Sequence, residues 1–254
     1  MSKEFDVSRL YDRFPFNTTV PARCPSLPTI AFDCRVEGTW LEDNIKNTPF
    51  NLVDNRVMIT GSDFAKHSAF PFRDVIFIAP VEYKGIRGGH PFLEFENSNR
   101  AVIGGREKWG YPKLYADIDF VTSDDGAVQV AVTMGGRRIV DLNWQPDGNM
   151  RPGAPTEQPL KLWPHLLLRM LPDASRPGMG FVEVLRRDTS EDLVVLEQKS
   201  GRADLKFGPM PEHEIDYCEL AKLKIKEVIS AQLIISDWVS SEKNGWAQLV
   251  DRLL

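Results

Sequence analysis

Cysteine is scarce in this chain, with Cys24, Cys34 and Cys218 standing far apart in 254 residues. An odd number of thiols at such spacing builds neither a disulfide framework nor a metal knuckle, and it suits a reducing compartment. Histidine is equally sparse: His67, His90, His165 and His213 are dispersed, no H-x-x-x-H or C-x-x-C occurs, and no metal is expected. Basic residues are not in excess, since 31 Lys and Arg face 36 Asp and Glu for a formal charge of -5. That balance argues against a nucleic-acid partner, because no surplus of cations exists to displace counterions from phosphate. No stretch approaches a membrane span in length, and the N-terminus M-S-K-E-F-D-V-S has no apolar signal core. The expectation is a cytoplasmic protein with no membrane partner.

Several catalytic devices are missing as well. There is no G-x-x-x-x-G-K-[ST] phosphate loop and no dinucleotide fingerprint between a strand and a helix, so no cofactor is expected. No G-x-S-x-G elbow is present to anchor a hydrolase triad.

What the chain has in quantity is short apolar, β-branched and aromatic runs separated by turn residues. Residues 1–30 are rich in Pro and aromatics and read as an irregular arm, most clearly over residues 1–20. Strands are predicted at 29–36, 56–62, 74–84, 90–97, 115–122, 127–134, 138–144, 161–170, 181–187, 193–200 and 202–207, with a short helix at 40–47. Residues 86–89, I-R-G-G, are read as the hairpin turn after Lys84. The Pro- and Gly-rich segment 145–159 is the one candidate linker, but the same strand pattern resumes beyond it, so a single domain over 1–254 is expected. Only the end reads as helical, from the spacing of Ile225, Val228, Ile229 and Leu233.

Within this pattern one lysine stands out. Lys113 lies between Trp109-Gly110-Tyr111-Pro112 and Leu114-Tyr115-Ala116, an uncharged neighbourhood. An amine is nucleophilic only when neutral, and a solvated lysine with a pKa of about 10.4 is almost wholly protonated at neutral pH. Burial disfavours the charged form by as much as about 3–5 units. A buried, uncharged Lys113 would be a Schiff-base nucleophile; an exposed one would only snorkel from an apolar surface.

The pattern G-R-E-x-W-G-Y-P-K, residues 105–113, resembles the signature of the acetoacetate decarboxylase superfamily, and residues 78–85, 167–172 and 201–211 carry weaker similarity, so that the resemblance spans about residues 20–250. It implies a mainly β fold: a closed antiparallel double β-barrel-like architecture around an apolar cavity, with a C-terminal helix. It also implies a homo-oligomer, with the Pro-rich arm and aromatic C-terminus as contact surfaces. Lys113 takes the Schiff-base position; activation of such a lysine by desolvation or a neighbouring cation is the known behaviour of that enzyme. Asp74 takes the place of an active-site glutamate, and Leu114 that of a second lysine whose charge would help lower the pKa of Lys113. The active-site arginine has no aligned counterpart: Leu27 stands there, with Arg23 nearest and Arg73 and Arg106 as other basic candidates. Phe72, Trp109 and Tyr111 are expected as pocket walls, and Arg106 and Glu107 as a structural ion pair. The implied substrate is a small oxo acid and the implied reaction decarboxylation of a 3-oxo acid. Aldol or dehydratase chemistry on a 2-oxo acid such as pyruvate is the alternative, and a non-catalytic small-molecule cavity remains a third reading.

Overall fold

The computed structural model describes residues 20–147, 160–212 and 218–254; the arm at 1–20, save its last residue, and most of the 145–159 segment fall outside the described residues. Among the described residues, fourteen strands form one hydrogen-bonded sheet, twelve of them in a single path, with two short α-helices beside it. In chain order these are β1 (Ala22–Val36), α1 (Trp40–Ile45), β2 (Asn51–Leu52), β3 (Arg56–Phe64), β4 (Phe72–Tyr83), β5 (Ile86–Glu96), α2 (Asn99–Trp109), β6 (Lys113–Tyr115), β7 (Asp117–Thr122), β8 (Val128–Met134), β9 (Arg137–Pro146), β10 (His165–Pro172), β11 (Met179–Arg187), β12 (Val194–Phe207), β13 (Ile225–Ser240) and β14 (Gln248–Arg252).

The strand order is β14-β11-β10-β5-β4-β3-β1-β13-β12-β9-β8-β7, with β2 on β4 and β6 on β5. The mainly β class is as the sequence implies; among the described residues no pairing joins the end strands β14 and β7 to close the path. Strand β12 links the two parts: residues up to Ser200 pair with β13, and from Gly201 onward they pair with β9. The β7–β9 part then folds over the main sheet, where Gly61 makes room for Val130; a Cβ there would lie 3.1 Å from its methyl carbons.

Three expectations need correction. The C-terminal segment is not helical: β13 is a 16-residue strand hydrogen-bonded to β1 on one side and β12 on the other. Its helix-like spacing loses to its β-branched content, with Ile225, Val228, Ile229, Ile234, Ile235 and Val239 suiting a pleated surface flanked by partners. The first strand starts at Ala22 despite Pro25 and Pro28, because a register irregularity between Cys24 and Leu27 absorbs the first proline and β3 joins only from Thr29. The β4–β5 turn is Lys84-Gly85, earlier than residues 86–89; both have positive φ, 48° and 80°, the two-residue geometry that matches strand twist.

The period of two along each strand decides what faces the site. On β4, Val75, Phe77 and Ala79 enter the main apolar core, while Asp74, Ile76 and Ile78 line a cavity on the opposite face. On β5, Leu93 and Phe95 go to the core and Glu94 and Glu96 to the cavity. Strand β3 alternates likewise, with Val57 and Ile59 inward to the core and Thr60, Ser62 and Phe64 on the cavity.

Candidate active site

The cavity has a volume of about 280 Å³ and is mostly apolar. Strands β1, β3, β4, β5 and β13 contribute its walls, joined by Ala101 and Trp109 of α2, by Leu162, Trp163 and His165, and by Arg187. Its single lysine among the described residues is Lys113.

Helix α2 places that lysine. Ser98, in extended conformation, caps its start by accepting from the Ala101 N–H. Gly110 ends it at φ 77°, with its N–H on the Arg106 carbonyl at 3.0 Å, and Pro112 prevents continuation. Gly110 is doubly required, since a Cβ there would also lie 2.7 Å from the Arg169 backbone. The chain then enters β6, parallel to β5, with Lys113 in register with Glu94. Arg106 donates to the Lys113 carbonyl at 2.9 Å, and this backbone clamp replaces the expected pairing of Arg106 with Glu107; both side chains point to solvent. Gly105, on the helix face above, leaves the volume that the lysine occupies: a Cβ there would lie 2.6 Å from Lys113 Cδ. The sequence reading contained no helix here, although Ser98, Gly110 and Pro112 are start and stop signals.

Lys113 is largely buried, its side chain 11% exposed, but not uncharged. Its Nζ is hydrogen-bonded to Glu96 and lies 3.2 Å from Glu94 Oε1. Asp74 is opposite Glu96 in the β4–β5 register, and ligating oxygens of Asp74, Glu94 and Glu96 lie within 4.8 Å of one another. Burial by itself pulls the Lys113 pKa down, but Glu94, Glu96 and Asp74 together outweigh it and hold the ammonium above its ordinary range. Burial in turn pushes Asp74 up to about 7, with Glu94 adding to the rise, and pushes Glu96 up to about 8 against the pull of Lys113. Glu94 is raised by burial too. Near neutral pH the cluster therefore carries acid protons as well as charge. Three carboxylates are also a donor set that a divalent cation can use, but here the lysine ammonium already supplies the counter-charge.

The sequence pointed to the lysine and Asp74 but not to Glu94 and Glu96. Their signal was present: two acids two residues apart in an apolar strand share one face. What was not readable is the parallel β5–β6 register that brings the lysine to them.

Leu114 faces the opposite way, packed against the main core, so a cation there would not stand beside the Lys113 amine. Lys108 is also no substitute; it lies over the Trp246 ring at 4.2 Å and does not line the cavity. Phe72, Trp109 and Tyr111 line the cavity, as does Leu27. Arg23 and Arg73 do not. Arg23 is exposed by the alternation of β1, and Arg73 points away from Asp74 to bond Asp63 and the Ile118 carbonyl.

The arginine that lines the cavity was missed. Arg187, at the end of β11, is 6% exposed and stacks on Trp109, its Cζ 4.2 Å from the ring centroid. It donates to the Tyr111 hydroxyl at 3.2 Å, and that hydroxyl is 3.1 Å from His165 Nδ1. Burial, reinforced by the Arg187 charge, pushes His165 down to about 3, so its ring is neutral.

Comparison with known proteins gives a match to the family described as acetoacetate decarboxylase over residues 13–247. An acetoacetate decarboxylase of Burkholderia ambifaria is 28% identical over 168 residues, covering 63% of this chain and 61% of that protein. A Burkholderia mallei protein of the same name is 29% identical over the same shares. Among solved structures, an acetoacetate decarboxylase from Legionella pneumophila superposes with a TM-score of 0.79 at 16% identity, over 100% of this chain and 98% of that one. The enduracididine biosynthesis enzyme MppR, complexed with pyruvate, does so with a TM-score of 0.67 at 16% identity, over 92% and 91%. At such identities the structural likeness speaks for the fold.

Proposed function

We propose, from the premise that this chain belongs to the acetoacetate decarboxylase family, that it is a lyase forming a Schiff base between Lys113 and the carbonyl carbon of a small oxo acid. The observation that carries this reading is the placement of one lysine amine in a largely apolar cavity, in hydrogen-bond contact with a carboxylate able to take its proton.

Where Glu96 is ionised, the ammonium of Lys113 first passes a proton to it. The neutral amine adds to the carbonyl carbon, and the carbonyl oxygen departs as water, leaving an iminium ion. This ion draws electrons from a bond on the adjacent carbon. With a 2-oxo acid that bond is C–H; a base takes the proton and an enamine results, ready to add to an aldehyde or to expel a β-hydroxyl. Water then releases the product and restores the lysine.

Asp74 and Glu96, raised to about 7 and about 8, match the task of taking and returning that proton near neutrality. For this reason proton-transfer chemistry of the aldolase or dehydratase kind is the reading the site supports best. MppR, complexed in one structure with the condensation product of pyruvate and imidazole 4-carboxaldehyde, is in keeping with it. Decarboxylation of a 3-oxo acid is the second reading, favoured by Phe64, Phe72, Ile76 and Ile78 around the cluster, since apolar walls favour loss of a carboxylate's charge.

The test is exchange of the pyruvate methyl protons in deuterated water, followed by NMR, beside carbon dioxide release from acetoacetate. Exchange that is lost in Lys113→Ala is the result expected. Carbon dioxide release without exchange would select the second reading. Neither activity would leave a non-catalytic cavity and overturn both.

A further inference from the structure

We propose that Arg187 is the residue that binds the substrate carboxylate, in place of an arginine from the N-terminal region; this rests on the oxo-acid reading above. Two buried arginines can be compared. Arg56, 4% exposed, is paired with the buried Asp33. Arg187, 6% exposed, hydrogen-bonds only neutral acceptors among the described residues: the Gly245 carbonyl at 2.8 Å, the Ser240 hydroxyl at 3.0 Å and the Tyr111 hydroxyl at 3.2 Å. Those three bonds use Nε–H and one N–H on each terminal nitrogen, so two of the five donors of the guanidinium remain. A buried cation that hydrogen-bonds no anion is costly, and an anionic ligand entering the cavity offsets that cost.

Its position suits a ligand held at two points. Both cations stand beside the Tyr111 ring, with Lys113 Nζ 5.3 Å and the Arg187 Cζ 5.9 Å from its centroid. An oxo acid with its carbonyl at Lys113 and its carboxylate toward Arg187 keeps its own charge off the Asp74–Glu94–Glu96 cluster. Stacking on Trp109 and the three bonds fix the guanidinium plane before the ligand arrives. His165 adds a second donor. Its Nδ1 faces the Tyr111 hydroxyl, which accepts from Arg187 and therefore donates to the imidazole, leaving the hydrogen on Nε2, a buried atom with no hydrogen-bond partner among the described residues.

The experiment titrates the intact chain, Arg187→Gln and Arg187→Lys with pyruvate, acetoacetate and the neutral ketone acetone. Calorimetry reads binding and borohydride reduction followed by intact mass reads the adduct; circular dichroism checks the fold. A charge-assisted contact of about 1.5–3 kcal/mol corresponds to roughly 10–150-fold in affinity. Arg187→Gln should therefore weaken both oxo acids by at least about tenfold and leave acetone trapping within about twofold, with Arg187→Lys recovering part of the loss. Equal binding of oxo acids by Arg187→Gln, or equal loss of oxo acid and acetone, overturns the assignment. Arginine-dependent binding without any adduct would uphold Arg187 and sink the Schiff base, whereas an adduct indifferent to Arg187 does the reverse. No binding of either oxo acid overturns both.

Discussion

Glu94 and Lys113 are register partners across the parallel strands β5 and β6, and Glu94 Oε1 stands 3.2 Å from the lysine Nζ. This geometry makes the resting lysine a buried ammonium, not the neutral amine that an apolar neighbourhood predicts. Substrate attack then depends on moving a proton within the cluster.

Glu94→Gln removes one of the two acids beside Nζ while Glu96 remains to take the proton. Because an opposite charge raises a lysine pKa, its loss should lower it. The midpoint of a pH profile of borohydride trapping should move to lower pH, with faster trapping at pH 7. An unchanged or higher midpoint would count against the electrostatic account.

Leu114→Lys is the change that sequence reasoning alone would choose to activate Lys113. With position 114 turned into the core, the trapping midpoint should stay where it is. The cost should appear in stability, about 1–3 kcal/mol in denaturant unfolding, for a charge placed against apolar packing. A lowered midpoint would show that the two side chains share a face after all.

Gly105→Ala tests the space reserved for the lysine. Alanine is the better helix former, so α2 should survive, but the new methyl needs the volume of Lys113 Cδ and Cε. A displaced nucleophile can lose roughly a hundredfold in rate. Trapping that proceeds at the original rate would mean the lysine reaches the cavity by another path.

Burial pushes His90 from an ordinary 6.5 down to about 4, and its Nδ1 lies 2.8 Å from the Leu166 carbonyl. The unfolded chain takes a proton on this ring below pH 6.5 and the folded chain does not until about pH 4, so the stability it contributes is lost as pH falls through that window. Asp74 and Glu96, with raised pKa values, act in the opposite sense: their contribution is lost as pH rises toward about 7 and about 8. The readable quantity is therefore the difference between the chain and His90→Gln in urea titrations at pH 7, 5.5 and 4.5. The acid-induced loss should be smaller in the variant, and equal losses would contradict the assignment.

Sequence patterning made the strands of the first half legible because alternation and turn chemistry are local. Residues 56–62 and 138–144 were read within a few positions of β3 and β9. The C-terminal strand was not, since in β13 a spacing of three and four competes with β-branched content, and only pairing to both β1 and β12 decides between them. At the site, Lys113, Asp74 and three apolar walls could be found from one motif and its neighbourhood. Glu94, Glu96 and Arg187 reach the cavity through pairings between distant segments, among them β5 with β6 and β10 with β11. No local pattern encodes such pairings. Arg23 and Arg73, the basic residues near the position of the expected N-terminal arginine and Asp74, are turned away by their strand positions.

The most direct test of the central claim is borohydride reduction of the intact chain with pyruvate or acetoacetate, with the adduct located by peptide mass. A single reduced adduct on Lys113, absent in Lys113→Ala, is the result the account predicts. An adduct on another lysine, or none with either oxo acid, would contradict it.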